Sequence, residues 1–194
     1  MPQSDELARA FVHVQEVFPF TDYVDSIVYH ETRSIVEALE PLISPFAGKR
    51  LLDIGSGPMD KTAILSLMGF DCCAVDDLAD PWHMREGNKA KIIAFSERLG
   101  IKFHHQQEGD HSVPFQSASF DVVSLLSVIE HLHVSPREIL NTAGEYLKPG
   151  GLLVVVMPNS VNLRKRLSVL RGRTNHVPVD QFYACVGTWR GHVR

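Results

Sequence analysis

No apolar run in these 194 residues approaches the ~20 positions of a membrane-spanning helix. The first residues also lack the basic-then-apolar order of an export signal. Cysteine is scarce: there are three, an odd number, and two are adjacent at Cys72 and Cys73. Reduced core thiols in a cytoplasmic protein are the plain reading. Positive charge is not in excess either, since the net charge is −4, which predicts no general attraction to nucleic acid or anionic membrane. No internal repeat or low-complexity tract is present. What remains is ordinary for a globular chain, with 44% hydrophobic and 22% charged residues. The length suits one domain with a sizeable core, or one domain plus an extension.

The most informative stretch runs from Lys49 to Asp77. Leu51, Leu52 and Ile54 form a short apolar run, expected of a strand buried on both faces of a parallel sheet. Gly55-Ser56-Gly57-Pro58 breaks it, and Gly55 and Gly57 let backbone pass close to a ligand. Ala63, Ile64, Leu67 and Met68 recur at helical spacing, closed by Gly69. Cys72 to Val75 then reads as a second strand ending at Asp76-Asp77. Asp76 lies 23 positions after Asp53, close to the ~20 expected before an acid that holds a ribose. This is the pattern of a nucleoside-binding βαβ unit. A dinucleotide fingerprint would place its third glycine at Asp60, where a carboxylate repels a diphosphate. With Asp53 also acidic, a ligand bearing ammonium or sulfonium charge fits better.

The run LLDIGSGPM resembles the first motif of the class I S-adenosylmethionine-dependent methyltransferases, [LV]-D-[IVL]-G-[SC]-G-x-G, with Met59 in place of the last glycine. Further on, Asp110, Pro114-Phe115 and Phe120-Asp121-Val122-Val123 follow the order of that family's acid, Pro-Phe and Phe-Asp-x-Val elements. Glu108 is an alternative alignment for the acid. Leu147-Lys148-Pro149-Gly150-Gly151 before the apolar run Leu152 to Val156 is similar to the turn before the family's fifth strand. These signals fall in register over residues 49 to 157.

The resemblance implies a Rossmann-like three-layer αβα sandwich around a mainly parallel sheet, with S-adenosylmethionine as cofactor and S-adenosylhomocysteine as product. It assigns Asp53, Gly55, Ser56 and Gly57 to the methionine end of the ligand and Asp76 to the ribose hydroxyls. Asp77, Leu78, Asp110 and His111 would surround the adenine, with Trp82 a further candidate. Leu126 and Ser127 lie at the carboxyl end of strand four, where open α/β sheets bind ligands. Just beyond, Glu130, His131 and His133 stand where a general base would be useful. His131 is preferred because an imidazole titrates near working pH, and the alternative is that Glu130 and His131 brace the following loop. No metal site is expected, because His104 and His105 on a strand point to opposite faces.

The flanks are less regular. Residues 1–45 are expected to form a helical extension or lid. Leu7, Phe11, Val14 and Phe18 lie on one helix, a second helix runs from Thr32 to Ile43, and Tyr23, Tyr29 and Arg33 are candidate lid residues, the alternative being that these aromatics pack the helix on the sheet. Residues 46–157 form the core, with helices at 88–99 and from Ser135-Pro136-Arg137-Glu138, which reads as a capping box. Residues 158–194 read as a basic helix and an irregular end, a substrate cap in a truncated domain. No strand pair is legible after Val156, so the family's last antiparallel hairpin is expected to be missing, and the edge of strand five would then call for cover by a partner or second copy. Arg164, Lys165, Arg166, Arg171 and Arg173 either grip an anionic acceptor, such as a sugar, nucleotide or lipid precursor, or form a solvated face. The expected activity is methyl transfer to oxygen or nitrogen of a small molecule or a glycan or lipid precursor. The rival readings are a methyltransferase-like binding domain without catalysis and, further off, an NAD-dependent oxidoreductase. Nucleic acid is disfavoured by the acidic balance and the lack of an aromatic stacking platform.

Overall fold

The structure, a computed structural model, describes residues 2–85, 87–107, 113–159, 161–173 and 183–184. Five strands form one parallel sheet in the order β3-β2-β1-β4-β5. They are β1 (Arg50–Ile54), β2 (Asp71–Asp76), β3 (Lys102–His105), β4 (Phe120–Leu126) and β5 (Leu147–Val156). The helices are α1 (Pro2–Val17), α2 (Ser26–Ile43), α3 (Asp60–Leu67), α4 (Asn88–Arg98), α5 (Arg137–Tyr146) and α6 (Leu163–Leu170). The mainly parallel Rossmann-like sheet expected from the sequence is therefore present. Among the described residues there is no sixth or seventh strand.

Alternation along the strands sends side chains into two cores. Leu51, Cys72, Ala74 and Val122 join the core under α1–α4, whereas Leu52, Ile54, Cys73, Val75 and Val123 join the smaller one that includes Ala143 of α5. Continuous apolar runs therefore mark the central strands, because both faces are covered. Cys72 and Cys73 are free and buried on opposite faces. Leu7 and Val14 bring α1 onto the same core as α3. Helix α2 begins at Ser26, six residues before the expected Thr32. Asp25 caps it there, its Oδ1 accepting from the N–H groups of Ile27 and Val28 at 2.8 and 3.2 Å.

Three local expectations are corrected. In α3, Leu67 is 39% exposed, and the fully buried Leu65 takes its place. The proposed capping box of α5 does not close: Pro136 is the cap, and Ser135 Oγ only accepts from Arg137 N at 3.4 Å. The turn expected at Lys148–Gly151 lies inside β5, with an irregularity in its register opposite Phe120–Val122. Gly151 allows it, since a Cβ there would meet the backbone oxygens of Lys148 and Asp121 at 3.0 and 3.2 Å. Lys148 Nζ donates to Asp121 at 2.7 Å and fastens the irregular end to β4. Nor is β5 fully buried. Leu152, Val154 and Val156 pack on the larger core, while Leu153 and Val155 are exposed, as alternation on an edge strand requires.

Candidate active site

Strand order reverses between β1 and β4, and a cavity of about 690 Å3 opens at the carboxyl ends of these strands and of β2. Open α/β sheets bind ligands at such a point, and the volume lies within the range of small-molecule sites. Asp53, Gly55, Ser56, Gly57, Asp76, Asp77, Leu126, Ser127, His131 and His133 all line it. The sheet thus brings to one rim most of the positions singled out in the sequence.

The glycine turn is held by Asp76. Its Oδ2 accepts from Gly57 N at 2.7 Å and its Oδ1 from Leu78 N at 2.6 Å. Burial pushes the Asp76 carboxyl above its ordinary pKa, against the lowering effect of these two N–H donors. Each oxygen keeps a second lone-pair site with which to accept from a ligand hydroxyl. Gly55 takes φ +74°, and a Cβ there would stand 2.7 Å from Val128 Cγ2, another wall residue. Close packing there tolerates only glycine. Two residues beyond Gly57, Met59 adopts φ +64° with its side chain fully buried. This is where the motif carries its last glycine, and the left-handed backbone explains that preference.

Asp53 is buried and tied across three elements. Its carboxylate accepts from Thr62 Oγ1 on α3 and, at 2.7 Å, from Ser124 Oγ on β4. Burial raises its pKa to about 6 despite those two bonds. Beside it, Lys61 Nζ lies 3.1 Å from Glu31 of α2 and 3.5 Å from Asp60. Burial opposes the ammonium charge, but Asp60 and Glu31 outweigh it and hold the group above the ordinary lysine pKa. Carboxylates dominate the wall, with Asp53, Asp60, Asp76, Asp77, Asp80 and Glu138 against the single lysine Lys61. Such a field favours a cationic ligand.

Several residues depart from the sequence reading. Leu78 does not line the cavity. Its N–H is captured by Asp76, its φ is +47°, and its side chain is fully buried in the larger core. Glu130 is also turned away: it is 1% exposed, and neither oxygen has a hydrogen-bond partner among the described residues. Ile129–His131 form a 3-10 turn of about three residues per revolution, so His131 in the wall places Glu130 on another side. Tyr23 reaches the cavity and contacts the Trp82 ring at 5.4 Å, whereas Tyr29 packs on Phe11 and Arg33 pairs with Glu37. Burial, with Asp60 and Asp80 nearby, raises the Tyr23 pKa. Arg164, Lys165, Arg166, Arg171 and Arg173 are not in the wall. Asp110, His111 and Glu108 lie outside the described residues.

Lys61 and His83 were missed by the sequence reading. His83 sits beside Trp82, and its buried Nδ1 has no hydrogen-bond partner among the described residues; the same holds for Ser56 Oγ. Both line the cavity, so two buried polar atoms face a place a ligand would fill. Proximity to the tryptophan in a polar loop was the available signal for His83. Among the described residues, no three His, Cys, Asp or Glu side chains cluster as metal ligands.

A family model described as "Methyltransferase domain" matches residues 25–184. The chain belongs to this methyltransferase domain family. That bears out the resemblance to the class I S-adenosylmethionine-dependent enzymes. Among relatives of this methyltransferase domain, the ubiquinone biosynthesis O-methyltransferase of Caulobacter sp. (strain K31) is 32% identical over 117 residues, 60% of this chain and 43% of that protein. The ubiquinone/menaquinone biosynthesis C-methyltransferase of Roseobacter denitrificans is 28% identical over 161 residues, 80% of this chain and 61% of that protein. The chain therefore spans 43 to 61% of the length of these relatives. Among solved structures, the PH0226 protein of Pyrococcus horikoshii OT3 superposes with a TM-score of 0.50 and 25% identity, covering 82% of this chain and 69% of that one.

Proposed function

We propose that this domain binds S-adenosylmethionine in the cavity and transfers its methyl group to an oxygen or nitrogen of a small-molecule acceptor. The observation that carries the reading is the acidic wall around a glycine turn fixed by Asp76. The residues fit the cofactor: Ser56 and His83 offer unpartnered buried polar atoms, and the turn between Gly55 and Gly57 leaves room for close approach. When bound, S-adenosylmethionine supplies an electrophilic methyl group on a cationic sulfur. Asp76 accepts from the ribose hydroxyls, and Asp77 and Trp82 border the base. Asp53 and Asp60 complement the positive charge at the methionine end.

The remaining task is alignment of acceptor and methyl, for which the protein needs a rigid wall rather than strong chemistry. Val128, Leu132, Val134 and Ile139 give the far side of the cavity an apolar lining. His131 lies among them and accepts the proton of a hydroxyl acceptor. Transfer to oxygen accords with the O-methyltransferase named among the relatives. We place residues 1–45 as a lid through Tyr23. A reducing, cytoplasmic setting suits the free thiols of Cys72 and Cys73.

Calorimetric titration with S-adenosylhomocysteine, beside an Asp76→Ala variant, tests the proposal. Micromolar binding that the variant loses is expected. Absence of binding by the folded chain would favour a non-catalytic domain. Displacement of S-adenosylhomocysteine by NAD would favour an oxidoreductase.

A further inference from the structure

Helix α6 lies on the domain inside out. None of its residues is buried. At about 100° per residue, Leu163, Leu167 and Leu170 fall in a stripe about 60° wide. They are 73, 41 and 82% exposed. The half-buried positions are Lys165 and Ser168, on the opposite side. A helix docked for the sake of its own domain does the reverse, burying the apolar stripe and exposing the charges.

The charges beside the stripe are all of one sign. Arg166 borders it on one flank and Arg164 and Arg171 on the other, by the same helical geometry. From Val161 to Arg173 there is no Asp or Glu. Val161 and Met157, between β5 and the helix in the chain, are exposed as well. The chain's net charge of −4 rules against general attraction to an anionic surface, but this segment is a local exception.

We propose that α6 is a membrane-surface anchor, lying in the plane of an anionic lipid bilayer with its leucines among the acyl chains and its arginines on the phosphates. A leucine stripe flanked by cations is what such a helix needs. Self-association through the same face would bring two arginine sets together, and nucleic acid would leave the leucines in water. A surface both apolar and anionic satisfies the leucine stripe and the arginines on its flanks together. The inference is independent of methyl transfer.

The test is co-sedimentation of the full chain with phosphatidylcholine vesicles, with and without phosphatidylglycerol, at low and high salt. Binding to the anionic vesicles is expected, about tenfold weaker without phosphatidylglycerol and weakened again by salt. The triple variant Leu163→Ser, Leu167→Ser, Leu170→Ser is expected to lose it, with its circular dichroism and thermal midpoint unchanged because the leucines are already exposed. Arg164→Gln with Arg166→Gln and Arg171→Gln is expected to abolish the preference for anionic lipid. Full binding by the leucine variant, or none by the folded wild type, overturns the proposal. So does a concentration-dependent dimer that the leucine variant dissolves without any vesicle binding.

Discussion

Replacing Asp53 by asparagine isolates the cost of a buried carboxylate at the centre of the sheet. The side chain is 1% exposed, and burial raises its pKa from 3.8 to about 6. At 1.36 kcal/mol per pKa unit, that difference corresponds to about 3 kcal/mol. The sign follows from proton binding. Between about pH 4 and pH 6 the native state holds a proton that the unfolded state has released, so the contribution to stability is complete below pH 4 and lost as pH rises through 6. An asparagine would fill the same space without a charge, and the hydroxyls of Thr62 and Ser124 can rotate to suit an amide. The variant is therefore expected to gain about 2.5 kcal/mol relative to wild type on going from pH 4 to pH 7.5, whatever its stability at the lower pH. Urea unfolding of both proteins at the two pH values measures this directly. Asp76, whose pKa burial also raises, is present in both proteins and cancels in the difference. A gap between variant and wild type that stays the same within about 1 kcal/mol at both pH values would refute the reasoning.

Gly55→Ala and Gly57→Ala separate crowding from backbone preference. Both glycines have positive φ, but only the alanine at 55 would meet Val128, at 2.7 Å, whereas at 57 the nearest atom is His83 Cε1 at 3.9 Å. Each variant is expected to lose roughly 1–2 kcal/mol from backbone strain, with a further loss for the first and a weaker calorimetric titration by S-adenosylhomocysteine as Val128 is pushed into the cavity. Equal stability of the two variants would remove the contact from the explanation. Met59→Gly relieves roughly 1–2 kcal/mol of left-handed strain but deletes a fully buried side chain whose loss costs about 2–5 kcal/mol. A net loss of about 1–3 kcal/mol is expected in thermal unfolding, and a gain would show that strain outweighs packing.

The parts of the site legible in the sequence are those carried by strand ends. Asp53, Gly55, Asp76 and Ser127 belong to runs whose apolar periodicity fixes where a strand stops, and a parallel sheet puts those stops at one rim. Lys61 and His83 were not legible in this way. Lys61 is held over the cavity by Glu31, thirty positions earlier in the chain and brought near only by the packing of α2 on α3. His83 depends on the path of an irregular loop. Leu78 was misplaced for a local reason, since one hydrogen bond to Asp76 turns the backbone into the left-handed region. The irregular start of β5 was hidden because Pro149 and two glycines normally mark a turn, and only the bond from Lys148 to Asp121 shows that pairing continues through them.

The reversal of strand order has a consequence for the route by which the chain folds. Within β1–β3 and within β4–β5, joining contacts are close in sequence: Gly57 to Asp76 spans 19 positions, Asp71 to Lys102 spans 31, and Asp121 to Lys148 spans 27. The seam between β1 and β4 is different, since Asp53 meets Ser124 across 71 positions. Loop closure is expected to make that contact the slowest to form, with two halves assembling first and the seam zipping last. Its upper end is the cavity itself, with Gly55 on one side and Ser127 on the other. A ligand seated there spans both halves after they have met, so it acts on the unfolding limb of a chevron and leaves the folding limb nearly unchanged. Equal movement of both limbs on adding S-adenosylhomocysteine would place the seam earlier in folding.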